Sequence, residues 1–192
     1  MRTAEITRKT SETSITAAVN LDGTGKADIK SGVGFFDHCL TSLSKHSGID
    51  ITVCAEGDLF IDSHHTVEDI GIVLGAAFAK ALGDCAGIER FASAFLPMDE
   101  ALAFAAIDIS KRPYLVFEAD FTNDKTGEFD NCLTEEFFRA FAINAGVTLH
   151  IKKMYGKNDH HAIEAIFKAA ARAIKTAVKI TGSGVPSTKG SL

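Results

Sequence analysis

The sequence predicts an α+β fold made of two pseudo-symmetric halves, each with the element order β-β-β-α-β-α. The motif His-His-x-x-Glu occurs twice, at 64–68 and at 160–164, and the copies are separated by half of the 192 residues. Each copy opens a long stretch with helical periodicity, and β-type alternation precedes both stretches. Helices on one face of a sheet would make each half a two-layer α/β sandwich.

The elements of the first half follow from alternation, helical spacing and turn residues. In chain order they are strands at 4–8, 12–20 and 24–30, a helix at 35–46, a strand at 51–55 and a long helix at 64–82. The Asp-Gly-Thr-Gly sequence at 22–25 is typical of a tight turn, which predicts that the second and third strands form a hairpin. The long helix carries an apolar stripe that includes Val67 and Phe78, so we expect one of its faces to be buried.

The second half repeats this order. Its predicted elements are strands at 91–96, 101–109 and 114–121, a loop at 123–127, a helix at 134–146, a strand at 147–153 and a helix at 160–179. No linker separates the halves, so we predict a single catalytic domain over 1–192, with internal repeats at about 1–89 and 90–180. The Gly- and Ser-rich tail at 181–192 is either a disordered terminus, as chain ends often are, or a mobile loop that closes on an anionic substrate.

Composition excludes several classes of protein. With a net charge of −5, the chain lacks the basic surface typical of general nucleic-acid binding. No apolar stretch is long enough to span a membrane, and the first residues lack the apolar region of a signal peptide. The four cysteines are widely spaced, which is typical of reduced thiols in a cytoplasmic protein. We therefore expect a cytoplasmic protein that binds neither nucleic acid nor membranes.

Each His-His-x-x-Glu motif has the spacing of a metal-binding cassette. Residues i and i+4 share one face of a helix, so His64 and Glu68 can bind one ion, and so can His160 and Glu164. The middle histidine is rotated by about 100° around the helix and is free to bind a different ion. Two such cassettes that face each other would form a pair of metal sites with crossed ligands. The alternative is that these histidines are ordinary surface residues near helix starts.

Further histidines would complete both sites. His38 lies on the first short helix and His150 on a strand of the second half, and together they would bring both sites to three imidazoles and one carboxylate. Mixed nitrogen and oxygen ligation with open positions suits octahedral Mn²⁺ better than closed, four-coordinate structural zinc. His46 lies two turns beyond His38 on the same helical face. Taken singly, each of these histidines also fits a core or surface role.

Several basic residues indicate a phosphate-bearing ligand. Lys168 lies on the same helical face as the second cassette. Arg90 and Arg112 stand at predicted strand edges, where a guanidinium can clamp a phosphate through two donors. Each also has an alternative interpretation as an ordinary surface ion. The acidic residues Asp99–Glu100 and Asp108 are expected to be solvated or structural.

Seven segments, taken together, resemble one known enzyme family. They are Arg8–Thr13, Gly32–His38, Gly57–Asp69, Pro97–Leu102, Asp108–Tyr114, His160–Ala169 and Pro186–Gly190. These segments resemble the imidazoleglycerol-phosphate dehydratase family of histidine biosynthesis, and the likeness runs nearly from end to end. Cys39 stands where many members carry methionine, and Lys111 where glycine is usual. The resemblance implies the monofunctional form, without an added phosphatase domain.

The resemblance implies a fold like domain 2 of ribosomal protein S5, a homo-oligomeric shell of 24 subunits, and active sites formed where subunits meet. It also implies two Mn²⁺ ions per site. One ion would be bound by His38, His65, His160 and Glu164, and the other by His64, Glu68, His150 and His161. This is the crossed pattern that the spacing within the cassettes also predicts.

The resemblance further implies which residues meet the substrate, a small phosphorylated imidazole. The positions that match phosphate-binding residues are Arg90, Arg112, Lys168, Ser187 and Lys189. The other expected substrate-binding residues are Glu12, His38, His46, His64, His65, Glu68 and His160. The candidate catalytic residues are Glu12, Glu68 and Glu164, and we expect Glu12 to transfer a proton.

The family's reaction removes water from imidazole glycerol phosphate to give imidazole acetol phosphate. A metal-bound imidazole loses its N–H proton more readily, because a Lewis acid lowers the pKa of the group it binds. The imidazolate can expel the neighbouring hydroxyl and leave a diazafulvene-like intermediate, whose C–H proton a general base can remove. Two other functions stay open: a two-metal phosphatase, which would favour bridging carboxylates, and a metal-storage or purely structural shell.

Overall fold

The computed structural model describes residues 1–190 and confirms an α+β fold with two repeated halves. The first half contains β1 (Thr3–Lys9), β2 (Thr13–Asn20), β3 (Ala27–Lys30), α1 (Gly34–Ser47), β4 (Asp50–Gly57) and α2 (His64–Leu82). The second half contains β5 (Phe91–Met98), β6 (Ala101–Asp108), β7 (Tyr114–Glu118), β8 (Lys125–Thr126), β9 (Phe129–Asp130), α3 (Leu133–Ala145), β10 (Thr148–Tyr155) and α4 (Asp159–Ala177). The prediction of a loop at 123–127 is wrong in one detail, because Lys125–Thr126 form the short strand β8, which pairs with β9. Residues 191–192 of the predicted tail lie outside the described residues.

The two halves have the same sheet topology. The strand order is β1-β2-β4-β3 in the first sheet and β5-β6-β10-β7 in the second, with β3 parallel to β4 and β7 parallel to β10. The predicted hairpin between β2 and β3 is therefore wrong, since β4 lies between them. The reason is that Asp50, at the start of β4, accepts hydrogen bonds from the backbone N–H groups of Thr24 (2.8 Å) and Lys26 (2.9 Å). These bonds hold the turn against β4, and the chain then forms β3 on the side of β4 that is opposite to β2.

Alternation gives each sheet a buried inner face and an open outer face. In β2 the side chains of Ile15, Ala17 and Val19 are buried, while the residues between them are only half-buried. Helix α2 packs on the inner face of the first sheet and α4 on that of the second. Within residues 1–190, no helix combines the length and apolarity needed to cross a membrane.

The helices pair across the two halves, α1 with α4 and α2 with α3. The close approach of α2 to α3 requires Gly75, where an added Cβ would lie 2.7 Å from the carbonyl oxygen of Phe141. The rings of Phe36, Phe137 and Phe167 link the halves, with centroid distances of 5.3 Å from Phe36 to Phe137 and 5.4 Å from Phe137 to Phe167. One hydrophobic cluster therefore extends through both halves. This packing also sets which ends of the helices meet, and so positions the candidate site.

Candidate active site

Three predicted metal ligands converge where α1 meets the start of α4. Nε2 of His38 lies 2.5 Å from Oε1 of Glu164, and Nε2 of His160 lies 3.2 Å from the same oxygen. All three ligand atoms lie within 4.8 Å of one another, and no other group of three or more His, Cys, Asp or Glu in residues 1–190 does so. The structure thus brings together three of the four residues expected around one ion.

Local sequence explains this placement. Asn158 caps α4 by accepting a hydrogen bond from the backbone N–H of His160 at 3.0 Å, which puts both histidines of the cassette in the first turn. Glu164 follows one turn later on the face of His160. The ring of Phe35 packs against that of His160, with 4.7 Å between centroids, and fills the space beside the cluster. The cassette is therefore held by a helix cap and an aromatic contact.

Glu164 is a buried carboxylate that stays ionised. Burial alone would raise its pKa, but hydrogen bonds from Lys168 and His38 outweigh burial and hold the pKa at about 2. Nζ of Lys168 lies 2.6 Å from Oε2 of Glu164. Lys168 is predicted to bind phosphate, and in the single chain the anion beside it is this carboxylate. An ionised, buried carboxylate beside two imidazoles has the donor chemistry of a divalent-metal site.

His65 does not join this cluster. Its Nδ1 donates to Oδ2 of Asp58 at 3.0 Å and lies 3.9 Å from Oε2 of Glu12. The hydrogen bond to Asp58 raises the pKa of His65. His65 and Glu12, two residues of the predicted site, are thus close to each other but apart from Glu164.

The four residues expected around the second ion do not converge in the described part of the chain. His64 is exposed at the first residue of α2, and Glu68 lies one turn further along that helix. His161 lies on α4, where its Nδ1 donates to Oε2 of Glu100 at 2.7 Å. This bond raises the pKa of His161 and lowers that of Glu100 to about 2. His150 is exposed on the outer face of β10, away from both cassettes.

The remaining expected substrate residue on α1, His46, lies in the last turn of that helix. It is half-buried, and burial, reinforced by the charges of Lys168 and Arg172, lowers its pKa. His46 is therefore an uncharged neighbour of Lys168 at neutral pH.

The other phosphate-binding candidates gather at one end of the second sheet. Arg90 is 8% exposed and donates to Asp108 (2.8 Å) and to the carbonyl oxygen of Pro186 (2.7 Å). Arg112 is exposed, with Nη2 3.5 Å from the same aspartate. The bond to Pro186 keeps the tail, with half-buried Ser187 and exposed Lys189, beside these arginines.

This group lies far from the His38–His160–Glu164 cluster. The backbone N–H of Arg90 donates to the carbonyl of Ala177 at the last turn of α4, whereas His160 lies in the first turn. His160 and Ala177 are 17 positions apart on this helix, which corresponds to about 26 Å along its axis. Within one chain, the metal-type cluster and the arginine group are therefore two distinct places.

Sequence reasoning missed Asp58 as a partner of His65, and it assigned Glu100 only a solvated or structural role. Asp58 lies in the loop before α2 and Glu100 in the turn between β5 and β6, so helical periodicity carries no signal for these contacts. Both pairings depend on how the loop and the turn fold against the histidines.

Comparison with known proteins gives one consistent family. The model of the imidazoleglycerol-phosphate dehydratase family matches residues 31–174. An imidazoleglycerol-phosphate dehydratase from Rhodopseudomonas palustris is 58% identical over 195 residues, which cover 100% of this chain and 99% of that protein. One from Clostridium botulinum is 58% identical over 191 residues, covering 98% and 97% of the two chains.

Solved structures agree with these relatives. The crystal structure of imidazoleglycerol-phosphate dehydratase from Staphylococcus aureus superimposes with a TM-score of 0.85 at 41% identity, covering 93% of this chain and 99% of that one. The crystal structure of the Pyrococcus furiosus protein, determined as a complex, also gives 0.85, at 37% identity, with 97% and 100% covered. At these identities the likeness extends to the sequence as well as to the fold.

Proposed function

Because the chain belongs to the imidazoleglycerol-phosphate dehydratase family, we propose that it converts imidazole glycerol phosphate to imidazole acetol phosphate and water in histidine biosynthesis. We further propose two Mn²⁺ ions per active site and a homo-oligomer of 24 subunits with active sites at the subunit interfaces. Residues 1–192 would act as one catalytic domain in the cytoplasm, with the tail closing on the substrate. The observation that carries the proposal is the convergence of His38, His160 and Glu164.

The residues present fit a divalent metal ion. Two imidazole nitrogens and an ionised carboxylate meet within 4.8 Å, and such mixed nitrogen and oxygen donors suit Mn²⁺ and similar ions. We propose that His65 completes this set, and that His64, Glu68, His150 and His161 hold the second ion. When bound, the metal would supply Lewis acidity that lowers the pKa of the substrate's imidazole, as the imidazolate route requires.

The spacing of the two clusters supports a site shared between subunits. About 26 Å of helix separates His160 from the group around Arg90, and a small phosphorylated imidazole is much shorter than that. A substrate whose imidazole lies at the histidines of one copy can therefore meet these arginines only on another copy. The separation of His65 and His161 from the ligands expected beside them supports the same arrangement.

The outer face of the second sheet supports assembly. Phe91 and Phe95 on β5 are 56% and 58% exposed, and His150 lies on the same outer face. Large exposed aromatic side chains on one face are typical of a surface that another protein covers. Covering it with another copy would also bring His150 into a subunit interface, where the second metal site is proposed.

Within such a site, some residues of the chain would bind the phosphate and another would transfer a proton. Arg90 and Arg112 would bind the phosphate together with Ser187 and Lys189, because arginine can present two donors to phosphate oxygens. Glu12 is 52% exposed beside a surface cavity of about 370 Å³, where a substrate could reach it. A carboxylate in that position can remove a C–H proton as a general base.

The direct test is product formation by the purified protein. The protein is freed of metal with a chelator, reloaded with Mn²⁺ and mixed with imidazole glycerol phosphate, with glycerol phosphate as the control that lacks the ring. We expect a ketone product that requires both Mn²⁺ and the imidazole ring. Phosphate release without a ketone would instead favour a phosphatase, and bound metal with neither product would favour a storage shell.

A further inference from the structure

The middle histidine of each cassette bonds through Nδ1 to a carboxylate. Nδ1 of His65 lies 3.0 Å from Asp58, and Nδ1 of His161 lies 2.7 Å from Glu100. A carboxylate oxygen accepts hydrogen bonds, so Nδ1 carries a hydrogen, and in the neutral ring the lone pair lies on Nε2. The hydrogen bond made by one ring nitrogen decides which nitrogen can bind a metal.

Asp58 and Glu100 do not occupy matching positions in the two halves. Matching positions of the β1–β2 and β5–β6 hairpins differ by 88, because Lys9↔Ser14 in the first corresponds to Pro97↔Leu102 in the second. By this register Glu100 corresponds to Glu12. Glu12, however, stays 3.9 Å from His65, beyond hydrogen-bond distance.

Asp58 occupies in the first half the role that Glu100 has in the second. A loop of six residues, 58–63, leads into α2 and supplies Asp58, while Lys157 and Asn158 alone join Gly156 to α4. The backbone N–H groups of these two residues donate to Oε1 of Glu100 at 3.1 and 2.8 Å, which fixes Glu100 on His161. The second half therefore uses its hairpin glutamate to hold the histidine, and the first half uses its longer loop.

Asp58 depends on this contact. It is 9% exposed, and its second carboxylate oxygen is buried without a hydrogen-bond partner in residues 1–190. Buried carboxylates are paired, and the partner here is His65 at 3.0 Å. The loop is thus built around the Asp58–His65 bond.

We infer that Asp58 and Glu100 are positioning residues, which hold Nδ1 of His65 and His161 so that Nε2 can bind a metal ion. Asp99 lies 3.6 Å from Nε2 of His161, beyond hydrogen-bond distance. Because Asp58 makes the hydrogen bond to His65, the nearby carboxylate of Glu12 is available to contact the substrate. The inference rests on the proposed metal-dependent dehydratase. Its first test is made without metal, so that failure of the inference can be told from failure of the proposed function.

The first test is histidine NMR on metal-free protein, with isotope-labelled imidazole nitrogens. At a pH above the raised pKa values, where both rings are neutral, we expect the Nδ1–H form for both rings in the unaltered protein. Glu100→Ala should shift only His161 toward the Nε2–H form. Glu100→Gln should do the same, because its one amide oxygen stays with the backbone N–H groups of Lys157 and Asn158 and its NH2 group then faces Nδ1 of His161. Asp58→Ala should shift only His65, and the shift should be larger when Glu12→Ala is added. Glu12→Ala alone, like Glu128→Ala in the exposed β8–β9 turn, should change neither ring.

The second test is Mn²⁺ affinity for the same variants, with anomalous scattering to locate each ion. Removing a partner of a metal-binding histidine weakens metal binding by about 10–100-fold, so we expect that loss at the site of His65 in Asp58→Ala and at the site of His161 in Glu100→Ala. Asp58→Asn keeps an acceptor at this position and should retain most of the affinity, which separates positioning from loss of the fold. Unchanged ring forms and affinities in the alanine variants would overturn the inference, as would a loss in Glu12→Ala equal to that in Asp58→Ala. If the ring forms respond as expected but the unaltered protein binds no Mn²⁺, the positioning contacts stand and the proposed metal-dependent function fails.

Discussion

The two cassettes share one motif but differ in what surrounds them. In the second, His160 and Glu164 meet His38 from α1 and Lys168 from the next turn of α4. In the first, the position that matches Lys168 holds Ile72, and no third ligand converges with His64 and Glu68 within the described part of the chain. A motif therefore supplies ligands, while the packing of the elements decides which of them meet in one chain.

The outer faces of the two sheets differ in the same way. Thr7 and Thr16 face each other on the first sheet and share a hydrogen bond of 2.9 Å. Phe95 and Phe104 occupy the matching positions on the second sheet, with ring centroids 4.7 Å apart. One face is suited to water and the other to a protein partner, although the backbones follow the same path. Four changes, taken from the largest expected effect to the smallest, test this contrast between the halves.

The largest effect is expected from removing metal ligands. His64→Ala and His161→Ala change different cassettes, yet each should lose the same one of the two proposed Mn²⁺ ions, and turnover with it. His65→Ala should lose the other ion, because the middle histidine is rotated away from its neighbour. Metal analysis combined with anomalous scattering measures the loss. If His64→Ala and His65→Ala empty one common site and leave the other filled, the crossed arrangement of the cassettes is wrong.

The next effect separates Glu12 from Glu100, which occupy matching hairpin positions. Glu12→Gln should keep both ions and the particle mass but lower kcat by about 10²–10⁴, the usual contribution of a general acid or base. Glu100→Gln cannot accept from both His161 and the backbone N–H groups of Lys157 and Asn158, so it should weaken Mn²⁺ binding, and excess Mn²⁺ should restore most of its kcat. A kcat for Glu12→Gln close to that of the unaltered enzyme would remove Glu12 from the chemistry.

A smaller effect is expected on the outer face of the second sheet. Phe95→Thr gives this sheet the residue found at the matching position of the first. Burying a phenylalanine side chain is worth about 1.5–3 kcal/mol, so subunit association should weaken by roughly 10- to 150-fold per interface. Sedimentation over a dilution series measures the change, with Thr7→Ser on the first sheet as the control. Equal dissociation of both variants would show that this face is not covered by another copy.

The smallest effect concerns how the helices pair. Gly75→Ala places a Cβ 2.7 Å from the carbonyl oxygen of Phe141 and should lower the free energy of unfolding by about 1–3 kcal/mol. The matching position on α4 is Ala171, which is buried. Ala171→Gly should cost about 1 kcal/mol, mainly through helix propensity. Urea unfolding of both variants measures the difference. If the free energy of unfolding of Gly75→Ala equals that of the unaltered protein, α2 and α3 can move apart without cost.

Much of the fold was predictable because its signals are local. Helical spacing and alternation depend on neighbouring residues, so the order of the elements in both halves is confirmed. The cassettes were equally visible, since i and i+4 share a helical face whatever surrounds the helix. His38 was predicted as a ligand from its residue type and the family resemblance, and the structure places it beside Glu164.

The remaining features depend on contacts between distant segments. The path of β3 is set by Asp50, which binds the preceding turn through its side chain and draws the chain past β4. The bond between Asp58 and His65 depends on the shape of a loop that has no periodicity. The distance from His160 to Arg90 depends on a hydrogen bond between the backbone N–H of Arg90 and the carbonyl oxygen of Ala177, at the far end of α4. None of these three features follows from spacing along the chain.

The pairing of each helix with one from the opposite half also limits how the two halves can change over evolution. A substitution at Phe36 or Phe167 must suit Phe137, so inner positions of one half are constrained by those of the other. The hairpin turns are less constrained, because Glu12 lies beside His65 and Glu100 binds His161, each within its own half. Two halves of the same topology can therefore take different roles at their turns, while substitutions in their interiors must suit each other.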